Sequence, residues 1–248
     1  MSGKLDFCHL HVHSHFSLLD GVSKPNEIAN KIKSLNQKYV ALTDHGNIDG
    51  VISFQKACIN EGITPIIGCE GYIINDLSLK EKPGHITFLV KNETGWNNLC
   101  YLLTFANLQG FYRKPRMTYS EVLDHCEGLV VMTACSSSFL TKEGGIDFFK
   151  DIYKRTDTFL EIMPHNFPEQ IKLNKIVLDL HKETKVPMVA TFDSHYINKE
   201  DAQAQEVLLA IQRKVTWNDH KRWKFNLDDL FLCDSDYILN KFKNINIE

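Results

Sequence analysis

The stretch Phe7-Cys8-His9-Leu10-His11-Val12-His13-Ser14-His15-Phe16-Ser17-Leu18-Leu19-Asp20-Gly21 sets four histidines at alternate positions, then an aspartate before a glycine turn. On an extended strand, side chains alternate between faces. His9, His11 and His13 therefore share a face opposite Leu10 and Val12. Neutral imidazole nitrogens held a few ångströms apart suit zinc, manganese or iron, and a nearby carboxylate offsets the charge of the metal. A single histidine more often packs or caps than ligates, so this stretch gains its meaning from what the rest of the chain supplies.

Outward from it, the chain alternates strands and helices. Leu5 to His13 reads as the first strand. Ser23 offers an N-cap with Pro25 in the first turn, and Ile28, Ala29, Ile32 and Leu35 share a helical face. Lys38 to Thr43 is a short buried-type strand ending at Asp44-His45-Gly46, and Val51, Phe54 and Cys58 mark the next helix. Thr64 to Gly68 is a third strand ending at Cys69-Glu70. Ile86 to Val90 is a fourth, opened by His85 and followed by a helix carrying Trp96, Leu99, Leu102, Leu103 and Ala106. Gly128 to Thr133 is a fifth strand ending at Ala134-Cys135, and Phe159 to Met163 a sixth, before a helix with Leu173, Ile176, Val177 and Leu180. Val186 to Thr191 is a seventh, ending at Phe192-Asp193-Ser194-His195. Seven such alternations predict a parallel sheet, either closed as a distorted (βα)7 barrel or open and doubly wound. The polar residues favour the barrel, because in barrels the working groups gather at the C-terminal ends of the strands.

The totals agree with one large core. The chain has 248 residues, 43% hydrophobic and 24% charged, a length common for a single α/β barrel. A net charge of −3 removes general basic character, so any nucleic-acid contact has to come from a local patch. The seven cysteines are odd in number and scattered, which fits free thiols in a reducing cytoplasm, with one available as a ligand. Neither a signal peptide nor a bilayer-length apolar run is present, and no membrane partner is expected. No repeat or linker divides the chain. A single domain over residues 1–248 is expected, with the barrel at about 5–212 and a C-terminal extension at about 213–248.

The candidates at strand ends are His11, His13, Asp20, His45, Glu70, His85, Cys135, Asp193 and His195. Singly, each has an ordinary explanation: a turn aspartate, a helix-capping histidine, a solvated glutamate, a buried thiol. Their joint recurrence at strand ends has none. His85 fits less neatly, since it opens its apolar run, and the irregular stretch from Asn75 to Gly84 would have to carry it to the common face.

The order of these motifs resembles the polymerase and histidinol phosphatase (PHP) family. They are His11-x-His13-Ser14, Leu18-Leu19-Asp20-Gly21, Leu42-Thr43-Asp44-His45-Gly46-Asn47, Ile66-Ile67-Gly68-Cys69-Glu70, His85 to Asn92, and Asp193-x-His195-Tyr196. The resemblance is strongest to the branch found at the N-terminus of bacterial replicative DNA polymerase alpha subunits. It runs from about Phe7 to Cys233 and includes Asn92 to Leu99 and Gly110 to Arg116. It implies metal ligands at His11, His13, Asp20, His45, Glu70, His85, Cys135, Asp193 and His195, with Glu70 bridging two metals. His9 becomes packing or support, His15 departs from the acid or amide usual there, and Asp44 is expected to orient a ligand histidine. The cofactors implied are up to three divalent metals, zinc or manganese, with iron a further option.

The activity implied is metal-dependent phosphoester hydrolysis, specifically 3′→5′ exonuclease action on DNA. Metals neutralise the phosphate and lower the pKa of water to roughly 7. Asp193, His195, Glu70 and His13 are the expected catalytic groups. The loop Phe111 to Arg116 interleaves aromatics and cations, which suits phosphates and unpaired bases, so Tyr112, Arg113, Lys114 and Arg116 are the expected substrate contacts. Lys221 to Lys224 is a weaker patch of the same kind. The expected partners are a DNA 3′ end, single-stranded, and a DNA polymerase or replisome subunit. Two rival readings share the metals: a small-molecule phosphomonoesterase of the histidinol phosphatase type, and a metal-stabilised, non-catalytic scaffold that binds a polymerase.

Overall fold

The computed structural model describes residues 7–222, 227 and 229–243. Leu5 and Asp6 of the expected first strand, and Trp223 and Lys224 of the second basic patch, lie outside the described residues. The described chain forms two compact α/β units that interleave along the sequence. Among the described residues, the first takes those of 7–44, 48–67 and 192–243, the second those of 45–47 and 68–191.

In the first unit, β1 (Tyr39–Leu42) pairs in parallel with the opening residues of β2 (Thr64–Ile74), with Tyr39 opposite Thr64 and Leu42 opposite Ile67. The histidine-rich stretch lies beside β1 as extended backbone. Ala41 N–H donates to the His9 carbonyl and Thr43 N–H to the Val12 carbonyl. On its other side, Ser194 N–H donates to His11 and His13 N–H donates to Ser194. This segment makes isolated bridges to Val40 and Ser194 instead of a continuous ladder. Helix α1 (Pro25–Ser34) buries Ile28, Ala29 and Ile32 at the expected spacing. Its N-cap is Lys24, one residue later than the serine expected, and Pro25 takes the first helical position, where its missing N–H costs nothing. Helix α2 (Val51–Glu61) buries Val51, Phe54 and Cys58 and ends at Gly62 in the left-handed region. At the far end of the sequence, α7 (Ala202–Gln212) and α8 (Ser235–Lys243) belong to the same unit. Phe192, Cys233 and Ile238 form a buried cluster there, with Phe7, Phe231, Tyr237 and Phe242 packed around it.

The second unit corrects the all-parallel expectation. The later part of β2 pairs antiparallel with β3 (Gly84–Val90), and β3 pairs antiparallel with β5 (Leu129–Met132). From there β5, β6 (Thr158–Ile162) and β7 (Met188–Ala190) run parallel. A short strand that sequence periodicity did not register, β4 (Arg116–Thr118), pairs in parallel with the end of β2. The reversal of β3 resolves the placement of His85. The first residues of an antiparallel strand lie beside the last residues of its neighbour, and His85 stands opposite Tyr72. Glu70, expected just beyond its strand, is inside it, because β2 continues to Ile74.

Helix α3 (Glu93–Leu108) turns Leu99, Leu102, Leu103 and Ala106 into the core, and its Asn92 cap accepts from Gly95 N–H at 3.0 Å. Helices α4 (Tyr119–Asp124), α5 (Gly145–Ile152) and α6 (Pro168–Thr184) complete the unit. Leu173 and Val177 of α6 are fully buried, and burying such a side chain contributes about 1.5–3 kcal/mol. Among the described residues, no helix is long and apolar enough to cross a membrane.

Candidate metal centre

In the second unit the site is built around Glu70, a fully buried carboxylate on β2. Its Oε2 lies 2.7 Å from His45 Nδ1, and its Oε1 lies 2.9 Å from His85 Nδ1. Cys135 Sγ stands 3.4 Å from the same Oε1 and 3.6 Å from His85 Nδ1. The two oxygens of Glu70 thus face two different imidazoles, the arrangement a bridging carboxylate requires. His45, Glu70 and His85 offer donor atoms all within 4.8 Å of one another. Tetrahedral zinc with bonds of about 2.0–2.3 Å places its donors about 3.5 Å apart. The sulfur separations match that spacing, and one thiol, two imidazoles and a carboxylate form a set suited to zinc or a similar borderline metal.

Local structure explains each placement. Gly46 N–H donates to the Glu70 carbonyl, holding the His45 turn against β2. Cys135 follows Ala134, whose left-handed φ of 58° turns the chain sharply at the end of β5. Tyr72, two residues beyond Glu70 on β2, lies edge-on to His85 at 5.2 Å and stacked against His45 at 6.0 Å. The Lys114 ammonium sits 5.1 Å over the same ring.

In the first unit, Asp193 gathers the histidines. Its Oδ1 lies 3.3 Å from His11 Nε2, 3.1 Å from His13 Nε2 and 3.6 Å from His195 Nδ1. His13 stacks on His195 at 4.3 Å. His195 Nε2 is 3.6 Å from Asp20 Oδ1, which accepts from Gln205 of α7 at 3.0 Å. Burial by itself raises the Asp193 pKa, but the imidazoles of His11, His195 and His13 outweigh it and hold the carboxyl well below the usual carboxylate range. Asp193 adopts φ 50°, a left-handed conformation that aspartate tolerates better than most residues.

Two of these imidazoles have their tautomer fixed by what they touch. His195 Nδ1 lies 2.7 Å from the Asp193 carbonyl, which only accepts, so Nδ1 carries a proton and Nε2 is the nitrogen left to a metal when the ring is neutral. His13 is oriented by way of Asp44. That buried carboxylate accepts from Ser14 N–H, Ser14 Oγ–H and Ser17 Oγ–H, each at 2.7 Å. With its proton given to Asp44, Ser17 Oγ accepts from His13 Nδ1 at 2.9 Å, so Nδ1 keeps its proton and Nε2 is the nitrogen left to a metal when the ring is neutral. The expected orienting role of Asp44 is therefore exercised through Ser17. Gly21 closes this loop where a Cβ would come 2.1 Å from the Ser14 carbonyl oxygen, so only glycine fits.

His9 stands apart from the ligands, against the main chain of Cys233, with Nε2 3.0 Å from its carbonyl oxygen. Burial lowers its pKa to about 4, against the smaller opposing pull of that carbonyl. His15 is exposed, tilted against Phe16 at 4.3 Å, with Nδ1 3.3 Å from the Ser23 carbonyl. All seven cysteines are free, and burial pushes Cys8, Cys58 and Cys233 up to about 12, which keeps them protonated and inert.

The basic loop departs from its expected role at one residue. Arg116 is buried, with Nε donating to the Gly110 carbonyl at 3.0 Å, Nη1 to Leu79 at 2.6 Å and Nη2 to Leu77 at 3.0 Å. Its fork fastens two loops, and its guanidinium lies 5.2 Å from the Tyr112 ring centre. Arg113 lies 5.4 Å over the same ring. Ser17, Tyr72, Gln205 and Glu161 carry no pattern of their own in the sequence. Only Ser17 lay within a motif that could have exposed it.

A PHP domain model matches residues 9–170. The chain belongs to the PHP domain family. It is 36% identical over 256 aligned residues to the DNA polymerase III subunit alpha of Thermus aquaticus, covering 94% of this chain and 21% of that protein. The corresponding protein of Treponema pallidum is 35% identical, covering 96% of this chain and 22% of its own length. This PHP chain thus spans about a fifth of the length of the curated relatives it matches. Among solved structures, a candidate metal-dependent phosphoesterase from Bifidobacterium adolescentis aligns with a TM-score of 0.54 at 14% identity, over 76% of this chain and 87% of that one. An amidohydrolase from Chromobacterium violaceum, solved with sulfate and no metal, gives 0.53 at 13% identity over 76% and 87%. At these identities the likeness concerns the fold.

Proposed function

We propose that this PHP domain is a metal-dependent phosphoesterase acting as a 3′→5′ exonuclease on DNA. The observation that carries the reading is Glu70, a buried carboxylate whose two oxygens face His45 and His85 separately, with the Cys135 thiol beside one of them. Burying such a charge is costly unless a cation compensates it. His11, His13, Asp20, His45, Glu70, His85, Cys135, Asp193 and His195 are the proposed ligands of up to three divalent ions, zinc or manganese, with iron as a further option. When bound, these ions neutralise a phosphodiester and make water acidic enough to provide hydroxide near neutral pH. Asp193, Glu70, His13 and His195 are the proposed catalytic groups. A distorted (βα)7 barrel is the architecture the reading assumes.

DNA is chosen because the relatives at 34–36% identity are polymerase subunits by name. Lys114, over Tyr72 beside His45 and His85, supplies positive charge near the centre, and Tyr112 with Arg113 offers a cation-bearing stacking surface. A polymerase or replisome subunit is the proposed protein partner. The test is a 5′-labelled single-stranded oligonucleotide with Mn²⁺ or Zn²⁺, comparing the wild type with Asp193→Asn. A ladder shortening from the 3′ end and absent in the variant supports the reading. Folded, metal-loaded protein that leaves the oligonucleotide intact refutes it, and hydrolysis of a phosphomonoester by the same preparation would then mark a small-molecule phosphatase.

A further inference from the structure

Glu161 is a second fully buried carboxylate of the Glu70-containing unit, and the proposed chemistry does not use it. It lies on β6 and joins the ends of three neighbouring strands. Its Oε2 accepts from Ala134 N–H at 2.5 Å, just past β5, and its Oε1 accepts from Thr191 Oγ1 at 2.9 Å, just past β7. Its own N–H donates to Thr133 Oγ1 at 2.8 Å. A carboxylate is an expensive way to tie strands, since an apolar or amide side chain avoids most of the desolvation.

What the charge holds is a strained turn. Ala134 sits at φ 58°, a left-handed region where the Cβ of alanine crowds the following carbonyl oxygen. The Glu161 oxygen on the Ala134 N–H holds that conformation. The next residue is Cys135, whose Sγ lies 3.4 Å from Glu70 Oε1 and 3.6 Å from His85 Nδ1. Relaxing residue 134 toward the right-handed region would swing the thiol away from both.

We infer that Glu161 is a positioning residue: by gripping Ala134 N–H it holds the left-handed turn that delivers the Cys135 thiol to the metal. The inference rests on the ligand role proposed above for Cys135. It is tested by Co²⁺ titration of the purified chain, reading the near-ultraviolet thiolate-to-cobalt absorption together with the affinity. Cys135→Ser should abolish the band, which assigns it among seven cysteines. Glu161→Gln keeps the size but turns an amide N–H₂ toward one of the two donors. It should weaken or shift the band and lower Co²⁺ affinity about 10- to 100-fold. Adding Ala134→Gly should restore much of both, because glycine takes positive φ without a steric penalty.

A role confined to tying strands would lower the melting temperature in Glu161→Gln while leaving the band as in the wild type. That result overturns the inference and leaves the Cys135 ligand intact. A Co²⁺ band unaffected by Cys135→Ser overturns both. If Glu161→Gln does not fold, Glu161→Asp serves in its place. It retains the charge and withdraws the carboxylate from Ala134 by one methylene, and an unaltered band there would equally refute the positioning role.

Discussion

Ser17→Ala removes one hydroxyl from the relay that links Asp44 to His13. In the wild type, Asp44 accepts three hydrogen bonds at 2.7 Å, and Ser17 passes the third on to His13 Nδ1 at 2.9 Å. Without Ser17 the carboxylate keeps both bonds from Ser14, so the loop survives. The expected stability loss is about 1–2 kcal/mol in urea unfolding of the metal-free protein. The effect on metal binding is larger. His13 loses the acceptor that pins its proton at Nδ1 and its ring orientation, so Nε2 is no longer fixed as the nitrogen offered to a metal. Outer partners of ligating histidines typically change metal affinity about 10- to 100-fold, so a loss of about 30-fold is expected. Competition of Zn²⁺ between the protein and a fluorescent chelator near neutral pH measures it. An affinity within about threefold of wild type, in a variant whose stability has fallen as expected, would show that Ser17 is a packing residue and that the tautomer argument is wrong.

Replacing Arg116 by Met should cost about 3–4 kcal/mol in urea unfolding, because three carbonyls lose their donor and those near Leu77 and Leu79 are only partly rehydrated. A variant as stable as wild type but with raised KM for oligonucleotide would return Arg116 to phosphate binding. His9 predicts acid sensitivity. Its folded pKa is lowered to about 4 against an ordinary value near 6.5, so the unfolded chain binds the extra proton between those values. The contribution of His9 is complete above about pH 6.5 and is lost as pH falls toward 4, about 3 kcal/mol in all. The wild-type stability of the metal-free protein should therefore fall that much further than His9→Gln across this window, and parallel curves would refute the assignment. Finally, dialysis against a chelator should lower the melting temperature, and excess Zn²⁺ or Mn²⁺ should restore it. Saturation a hundredfold above Kd corresponds to about 2.7 kcal/mol, and a melting temperature indifferent to metal would remove the ions from the folded state.

Sequence by itself determined the kinds of side chain at the strand ends and the faces the helices bury. His11, His13, His45, Cys135, Asp193 and His195 were legible because each follows or closes a local apolar run, and Val51, Phe54 and Cys58 because helical periodicity is a short-range property. Membership of the PHP family was legible in the order of those motifs. Tertiary structure alone decided the direction of β3, and with it why His85 can open a strand and still face Glu70. It turned Arg116 from a phosphate contact into a clamp on Leu77, Leu79 and Gly110, and it joined Asp44 to His13 through Ser17. It also joined Glu161 to Ala134, the residue before Cys135. These contacts connect residues separated by 27 to 39 positions for Ser17–Asp44, Ala134–Glu161 and Arg116–Leu77. Periodicity and capping report only what a residue does to its neighbours along the chain. The partners of a buried charge are chosen by whichever strands and loops fold against it, and that choice leaves no local mark.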